Sequence, residues 1–202
     1  LIEKLNPKGF LIGFDNKFGF KGDGNNKFLD YYIKKNKLNI SSEIFPEFKF
    51  QDKIIKSSYI KALISDGCID KANDSLGRNF FIRGKVVEGR KLGKKIGFPT
   101  ANLKLSEMKQ ILPMHGVYCV NLKIDNKSYL GLCNVGLRPT FEEDSNKISI
   151  ETHLINRSID LYGKNVKIIF LSFIRNEIRF NSANELAEQI KRDIKKIEHM
   201  EC

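Results

Sequence analysis

From residue 81 onward, apolar and polar residues alternate in short runs separated by brief connections. That period of two restricts the fold more than any other feature. Phe81-Ile82-Arg83-Gly84-Lys85-Val86-Val87 is the first run, and Ala101, Leu103 and Leu105 alternate in the second. Residues 117–124 and 129–133 flank Asp125-Asn126-Lys127-Ser128, a hairpin signal. Gly136-Leu137-Arg138-Pro139-Thr140 turns the chain, Ile148–Leu154 alternates again, and 166–173 adds a further run. About six strands with short connections predict a small antiparallel barrel. Ser182-Ala183-Asn184-Glu185 then reads as a capping box. Leu186, Ile190, Ile194 and Ile197 mark the face with which a terminal helix covers the barrel. Lys191, Arg192, Lys195 and Lys196 fall on its solvated side.

The first part has another texture. Gly9-Phe10-Leu11-Ile12-Gly13 is a short apolar run bounded by glycines, the pattern of a buried strand in an α/β sheet. Gly13, Phe14 and Asp15 stand at its carboxyl end, where open α/β sheets bind ligands. Phe28, Leu29, Tyr32 and Ile33 recur at helical spacing over 26–35 and predict a core-facing stripe. Ser57 and Ser58 precede Ile60, Leu63 and Ile64, with Gly67 as the stop. Ser57, Ser58 and Lys61 either cap that helix or hold a triphosphate at its N-terminus. Residues 70–72 predict a short turn and 73–77 a linker. The expected domains are therefore 1–76 and 77–202, in an α+β chain.

Within the strand region, Gly93-Lys94-Lys95-Ile96-Gly97-Phe98-Pro99-Thr100-Ala101-Asn102 carries the densest chemistry. Gly93 and Gly97 allow close backbone approach, and Lys91, Lys94 and Lys95 supply charge. Thr100 and Asn102 present a hydroxyl and an amide on one side of an extended segment. Those are the parts of a phosphate–Mg²⁺ site, and equally of a tight turn between strands. Phe98-Pro99 after Gly97 excludes a Walker A loop. In Ile148-Ser149-Ile150-Glu151-Thr152-His153-Leu154, period two sets Glu151 opposite the apolar residues, with Ser149 and His153. There it is either a solvated carboxylate or a general base.

Charge allows two partner classes. The net charge of +11 divides as +3 over residues 1–76 (13 basic, 10 acidic) and +8 over 77–202 (22 basic, 14 acidic). Such an excess suits an anionic small ligand or nucleic acid. Cys68, Cys119, Cys133 and Cys202 form no C-x-x-C pair, and His115, His153 and His199 do not cluster. A zinc site is therefore not expected, and scattered cysteines fit a reducing cytoplasm. No apolar run reaches the length of a membrane span. The opening without Met suggests a fragment.

From Gly84-x-Val-Val through Gly93, Gly97-Phe98-Pro99-Thr100-Ala101-Asn102, Gly116-Val117-Tyr118, Asn134-Val135-Gly136-x-Arg138-Pro139-Thr140, Glu151-Thr152-His153, Asp160-Leu161-Tyr162-Gly163 and Ile174-Arg175-x-Glu177-x-x-Phe180, the sequence resembles the riboflavin kinase family. The likeness spans essentially all of 77–202. It implies a six-stranded antiparallel barrel with a C-terminal helix, acting as an ATP:riboflavin 5′-phosphotransferase that yields FMN. Glu151 would then be the general base. Gly93, Lys94 and Gly97 would bind ATP phosphates, and Thr100 and Asn102 would hold Mg²⁺ and phosphate oxygens. Tyr162 and Arg175 would lie near the flavin.

Residues 1–76 resemble the second half of the α/β nucleotidyltransferase module that precedes this kinase in bacterial bifunctional riboflavin kinase/FAD synthetases. Gly13-Phe14-Asp15-x-x-Phe18-Gly19 and Ser57-Ser58-x-Ile60-Lys61 carry that likeness. Lys56 stands where the family usually has serine, Lys61 where it has arginine, and Lys94 where it often has arginine. Lysine keeps the charge but loses the bidentate fork. No His-x-Gly-His motif occurs, so FMN adenylyltransferase activity is expected only of a fuller chain. The implied partners are riboflavin and ATP, without nucleic acid or membrane. The alternative is a non-catalytic basic barrel that binds nucleic acid.

Overall fold

The computed structural model describes residues 2–89, 92–106, 110–137 and 148–200. Lys91, Cys202 and the Arg138-Pro139-Thr140 turn lie outside the described residues. The chain divides into two compact units, 1–55 and 56–202.

The first unit contains α1 (Ile2–Leu5), β1 (Gly9–Gly13), a 3-10 turn at Phe20–Gly22, α2 (Asn26–Lys35), β2 (Ser41–Phe45), β3 (Lys49–Phe50) and β4 (Lys53–Ile54). β1 pairs in parallel with β2, and β3 pairs antiparallel with β4. Asn25 caps α2 by accepting the Phe28 N–H. Leu29 and Ile33 bury against Ile12, whereas Phe28 and Tyr32 are exposed. The predicted stripe is thus only half in the core. The aromatic pair instead stacks along the helix surface, with centroids 6.3 Å apart.

The second unit contains α3 (Ser57–Ser65), α4 (Ile69–Leu76), β5 (Phe81–Val87), α5 (Leu92–Lys95), β6 (Thr100–Leu105), β7 (Gly116–Ile124), β8 (Lys127–Leu137), β9 (Ile148–Leu154), β10 (Asn165–Arg175) and α6 (Ala183–Glu198). Six antiparallel strands close in the order β10-β5-β6-β9-β8-β7, as the strand count and the family resemblance imply.

The stretch 73–77, expected as a linker, is instead the end of α4, with Gly77 as its C-cap. Asn73 explains the difference. Its Nδ2 donates to the Phe170 carbonyl and its Oδ1 accepts the Phe80 N–H, so a turn-forming residue is used to tie α4 to β10. Ile69 and Ala72 are fully buried. The compact units part between Ile55 and Lys56. The N-cap of α3 is Lys56, without a side-chain cap bond, and not a serine.

Successive residues of β7 face two cores. Val117 and Cys119 pack with Leu132, Ile174 and Ile197 beneath α6, joined by Ile190 and Ile194. Tyr118 points the other way and meets the Phe170 ring edge-on at 5.3 Å. Such T-shaped pairs add about 0.5–1.5 kcal/mol beyond area burial. At the start of α6, Ser182 accepts the Glu185 N–H as expected of a capping box, while Glu185 accepts from Asn181 rather than from Ser182.

No disulfide joins Cys68, Cys119 and Cys133. Burial pushes the Cys133 thiol from 9.0 up to about 12. Burial, and then the neighbouring Cys133, raises Tyr118 too. Between about pH 9 and pH 12 the unfolded chain therefore releases protons that the native state keeps, and stability falls as pH rises. The expected loss is about 1.4 kcal/mol per pH unit for Cys133 alone. Urea midpoints should hold steady up to about pH 9 and then decline, with the first part of the decline missing in Cys133→Ala. Parallel curves for the two proteins would contradict this account.

Candidate active site

The register of three strands assembles the site. On β6 and β9, Asn102 stands opposite Glu151 and Thr100 opposite His153. On β8, Asn134 stands opposite Glu151 from the other side. Asn102, Glu151 and Asn134 therefore form one row across β6, β9 and β8. Both Glu151 carboxylate oxygens accept a hydroxyl. Ser149 Oγ donates to Oε1 at 3.0 Å and Thr100 Oγ1 to Oε2 at 3.1 Å. His153 Nδ1 lies 2.9 Å from the Pro99 carbonyl, and a carbonyl only accepts, so that nitrogen is the donor. The Phe98 ring meets the His153 imidazole edge-on at 5.3 Å.

Thr100 borders two clefts. The first, about 480 Å³, lies between the end of β5 and the 157–162 segment, with Val87, Gly89, Pro99, Arg157, Asp160 and Tyr162 in its walls. The second, about 290 Å³, lies between the barrel and α6. Its apolar walls include Phe98, Val117, Leu132, Phe180, Leu186 and Ile190, with Glu151, Asn134 and Arg175 among its polar groups.

The remaining expected site residues distribute as follows. Residues 92–95 form α5, a single helical turn in which Lys94 and Lys95 are exposed. Gly97, at φ +86°, lets the chain leave that turn and enter β6, a conformation strained for any side chain. Gly93 lies in the wall of the second cleft, and a Cβ there would collide with the Phe98 carbonyl. Gly89 comes closest to Asn102, and a Cβ there would collide with the Asn102 amide. It stands two residues beyond β5 and belongs to no motif, so no local pattern singles it out. Tyr162 and Arg175, expected together, line different clefts. Arg175 is also anchored to α6: its Nε donates to both Asp193 oxygens, at 3.1 and 2.9 Å. Glu177 accepts from Asn134 at 3.1 Å. Gly13, Phe14 and Asp15 fall in the first unit, and Ser57, Ser58 and Lys61 at the start of α3 in the second.

A closed six-stranded antiparallel barrel, with a carboxylate held between two hydroxyls in the cleft between the barrel and α6, defines a small-barrel protein with a polar site on its wall. Residues 76–201 match the riboflavin kinase (flavokinase) family, and the chain belongs to that family. It is similar to proteins named bifunctional riboflavin kinase/FMN adenylyltransferase. That of Buchnera aphidicola subsp. Schizaphis graminum is 38% identical over 96% of this chain and 62% of its own length. That of Bacillus subtilis is 38% identical over 94% and 59%, and that of Escherichia coli 35% identical over 96% and 60%. The chain thus spans about 60% of the length of these relatives. A solved Streptococcus pneumoniae structure, titled as a macrolide-efflux protein, superposes with a TM-score of 0.84 at 31% identity. It covers 98% of this chain and 62% of that one. Among the described residues, no helix is long and apolar enough to cross a membrane.

Proposed function

We propose that this chain transfers the γ-phosphoryl group of ATP to the 5′-hydroxyl of riboflavin, giving FMN and ADP. The observation that carries the proposal is Glu151 held between Ser149 and Thr100, with Thr100 on the border of both clefts. The apolar second cleft suits a flavin ring, and the polar first cleft a nucleotide. Riboflavin's hydroxyl proton goes to Glu151. Its oxygen bonds to the γ-phosphorus, and the bond to the β-phosphate oxygen breaks. Such transfers depend mainly on positioning and charge neutralisation. The two hydroxyl donors hold the carboxylate aimed.

Thr100 and the buried Asn102 offer hard oxygen donors. Among the described residues, no cluster of three or more His, Cys, Asp or Glu side chains competes as a metal cage. That donor set fits Mg²⁺, which keeps several waters and arrives with its nucleotide. When bound there, the ion offsets phosphate charge. With the nucleotide in the first cleft, the 93–97 turn and Lys94 are assigned to its terminal phosphates where these reach past Thr100 toward the second cleft. Thr100→Ala should weaken Mg·ATP binding about tenfold, measured by titration calorimetry. Wild-type affinity would remove Thr100 from the metal assignment.

Residues 1–76 are assigned to the C-terminal part of an FMN adenylyltransferase domain, in keeping with the relatives' names and the chain's share of their length. Incubation with riboflavin and Mg·ATP, followed by chromatography, tests the reading. FMN without FAD is the expected result, and no FMN at all would overturn it.

A further inference from the structure

The outer wall of the barrel carries a second concentration of chemistry that the site above does not use. Lys167 on β10 stands directly opposite Arg83 on β5 and, on its other side, directly opposite Lys123 on β7. Three cations thus form one row across three strands, spanning about 10 Å at ordinary strand spacing. In the next row Lys85 stands opposite Lys104. Like charges directly opposite destabilise a sheet. Here they accumulate. The Arg78 and Arg83 guanidiniums and the Lys167 ammonium all crowd the Phe81 ring, at 5.2, 5.0 and 3.7 Å.

No described ion pair engages the row. Among the described residues, the ion pairs join Lys49 to Glu47, Arg175 to Asp193 and Lys191 to Glu188. A cleft of about 400 Å³ runs beside the row, with Ser106 and Asn165 as neutral donors and Asp125 as the acid in its wall. Desolvation, and then the charges of Arg83, Lys123 and Arg78, lower the Lys167 amine from its ordinary value. In the ring of strands, β10 lies three places from β9 in either direction. This wall is therefore opposite the one that carries Glu151.

We propose that Arg83, Lys123 and Lys167 form an anion site for a polyphosphate group, either inorganic polyphosphate or the phosphate arm of a nucleotide. Several negative charges within one small group match cations carried side by side on strands about 5 Å apart. The cleft has the size of a small-ligand site. A single-stranded nucleic acid fits less well, because stacking a base needs an open aromatic face and cations already crowd Phe81.

The test titrates tripolyphosphate, and separately ATP, into the chain by calorimetry at low salt. Four proteins are compared: wild type, Lys167→Gln, the triple variant Arg83→Gln/Lys123→Gln/Lys167→Gln, and Thr100→Ala. Tripolyphosphate should bind the wild type and Thr100→Ala alike, about tenfold more weakly to Lys167→Gln, and not measurably to the triple variant. A second equivalent of ATP, lost in the triple variant, identifies the nucleotide as the source. Tripolyphosphate binding without that second equivalent identifies the inorganic anion. Lys167→Gln should also melt above the wild type without ligand, since it removes a repulsion. Equal binding to wild type and triple variant overturns the proposal. So does binding lost only in Thr100→Ala, or an RNA oligonucleotide held far more tightly than tripolyphosphate by the same row.

Discussion

Replacing Glu151 by glutamine should lower the rate of FMN formation about 10²–10⁴-fold, the range for a lost general base, while ATP still binds. The substitution keeps the shape of the side chain and removes its basicity. Ser149 and Thr100 now donate to the two carboxylate oxygens. A hydroxyl both donates and accepts, so either one can turn its proton away and accept from the new amide. The site should therefore keep its geometry, and the loss should appear in kcat rather than in KM. Steady-state rates with riboflavin and Mg·ATP provide the measurement. A variant within a few-fold of wild type would take Glu151 out of the mechanism.

The largest expected effect on stability lies at Asp193, whose carboxylate is buried beneath α6 and receives the Arg175 guanidinium. Asp193→Ala should cost about 3–5 kcal/mol, because it leaves a half-buried charge without its partner. Gln189, which donates to the same carboxylate at 2.8 Å, loses its acceptor as well. Arg175 would keep its bond to the Asn176 carbonyl. Changing both partners, as Arg175→Met with Asp193→Leu, should recover much of the loss, since no charge then remains buried. Urea denaturation of the two single variants and the double variant measures the coupling. A single-variant cost below about 1 kcal/mol would mean that the pair behaves as an exposed one.

Period-two alternation made the barrel strands legible, because one face of each strand must be apolar to fill the interior. It also placed Glu151, Ser149 and His153 on one face. What it could not give was register. Thr100 and Glu151 are 51 residues apart in the chain and touch only because β6 pairs with β9, and no local pattern encodes that pairing. The same reason hides the Lys123–Lys167–Arg83 row, whose members read singly as ordinary surface charges. Residues 73–77 misled because Asn, Asp, Ser and Gly favour turns locally, while Asn73 serves a tertiary contact. β2, with its paired serines Ser41 and Ser42, lacks the apolar alternation that identifies a strand.

Closure of the six strands has a consequence for how such a unit travels among proteins. A ring of strands leaves no open main-chain border on which a foreign strand could extend the sheet, so it can be carried beside other modules with little hazard of sticking to them. The parallel pair of β1 and β2 enjoys no such protection: with only each other as partners among the described residues, each keeps one outer border available for additional strands.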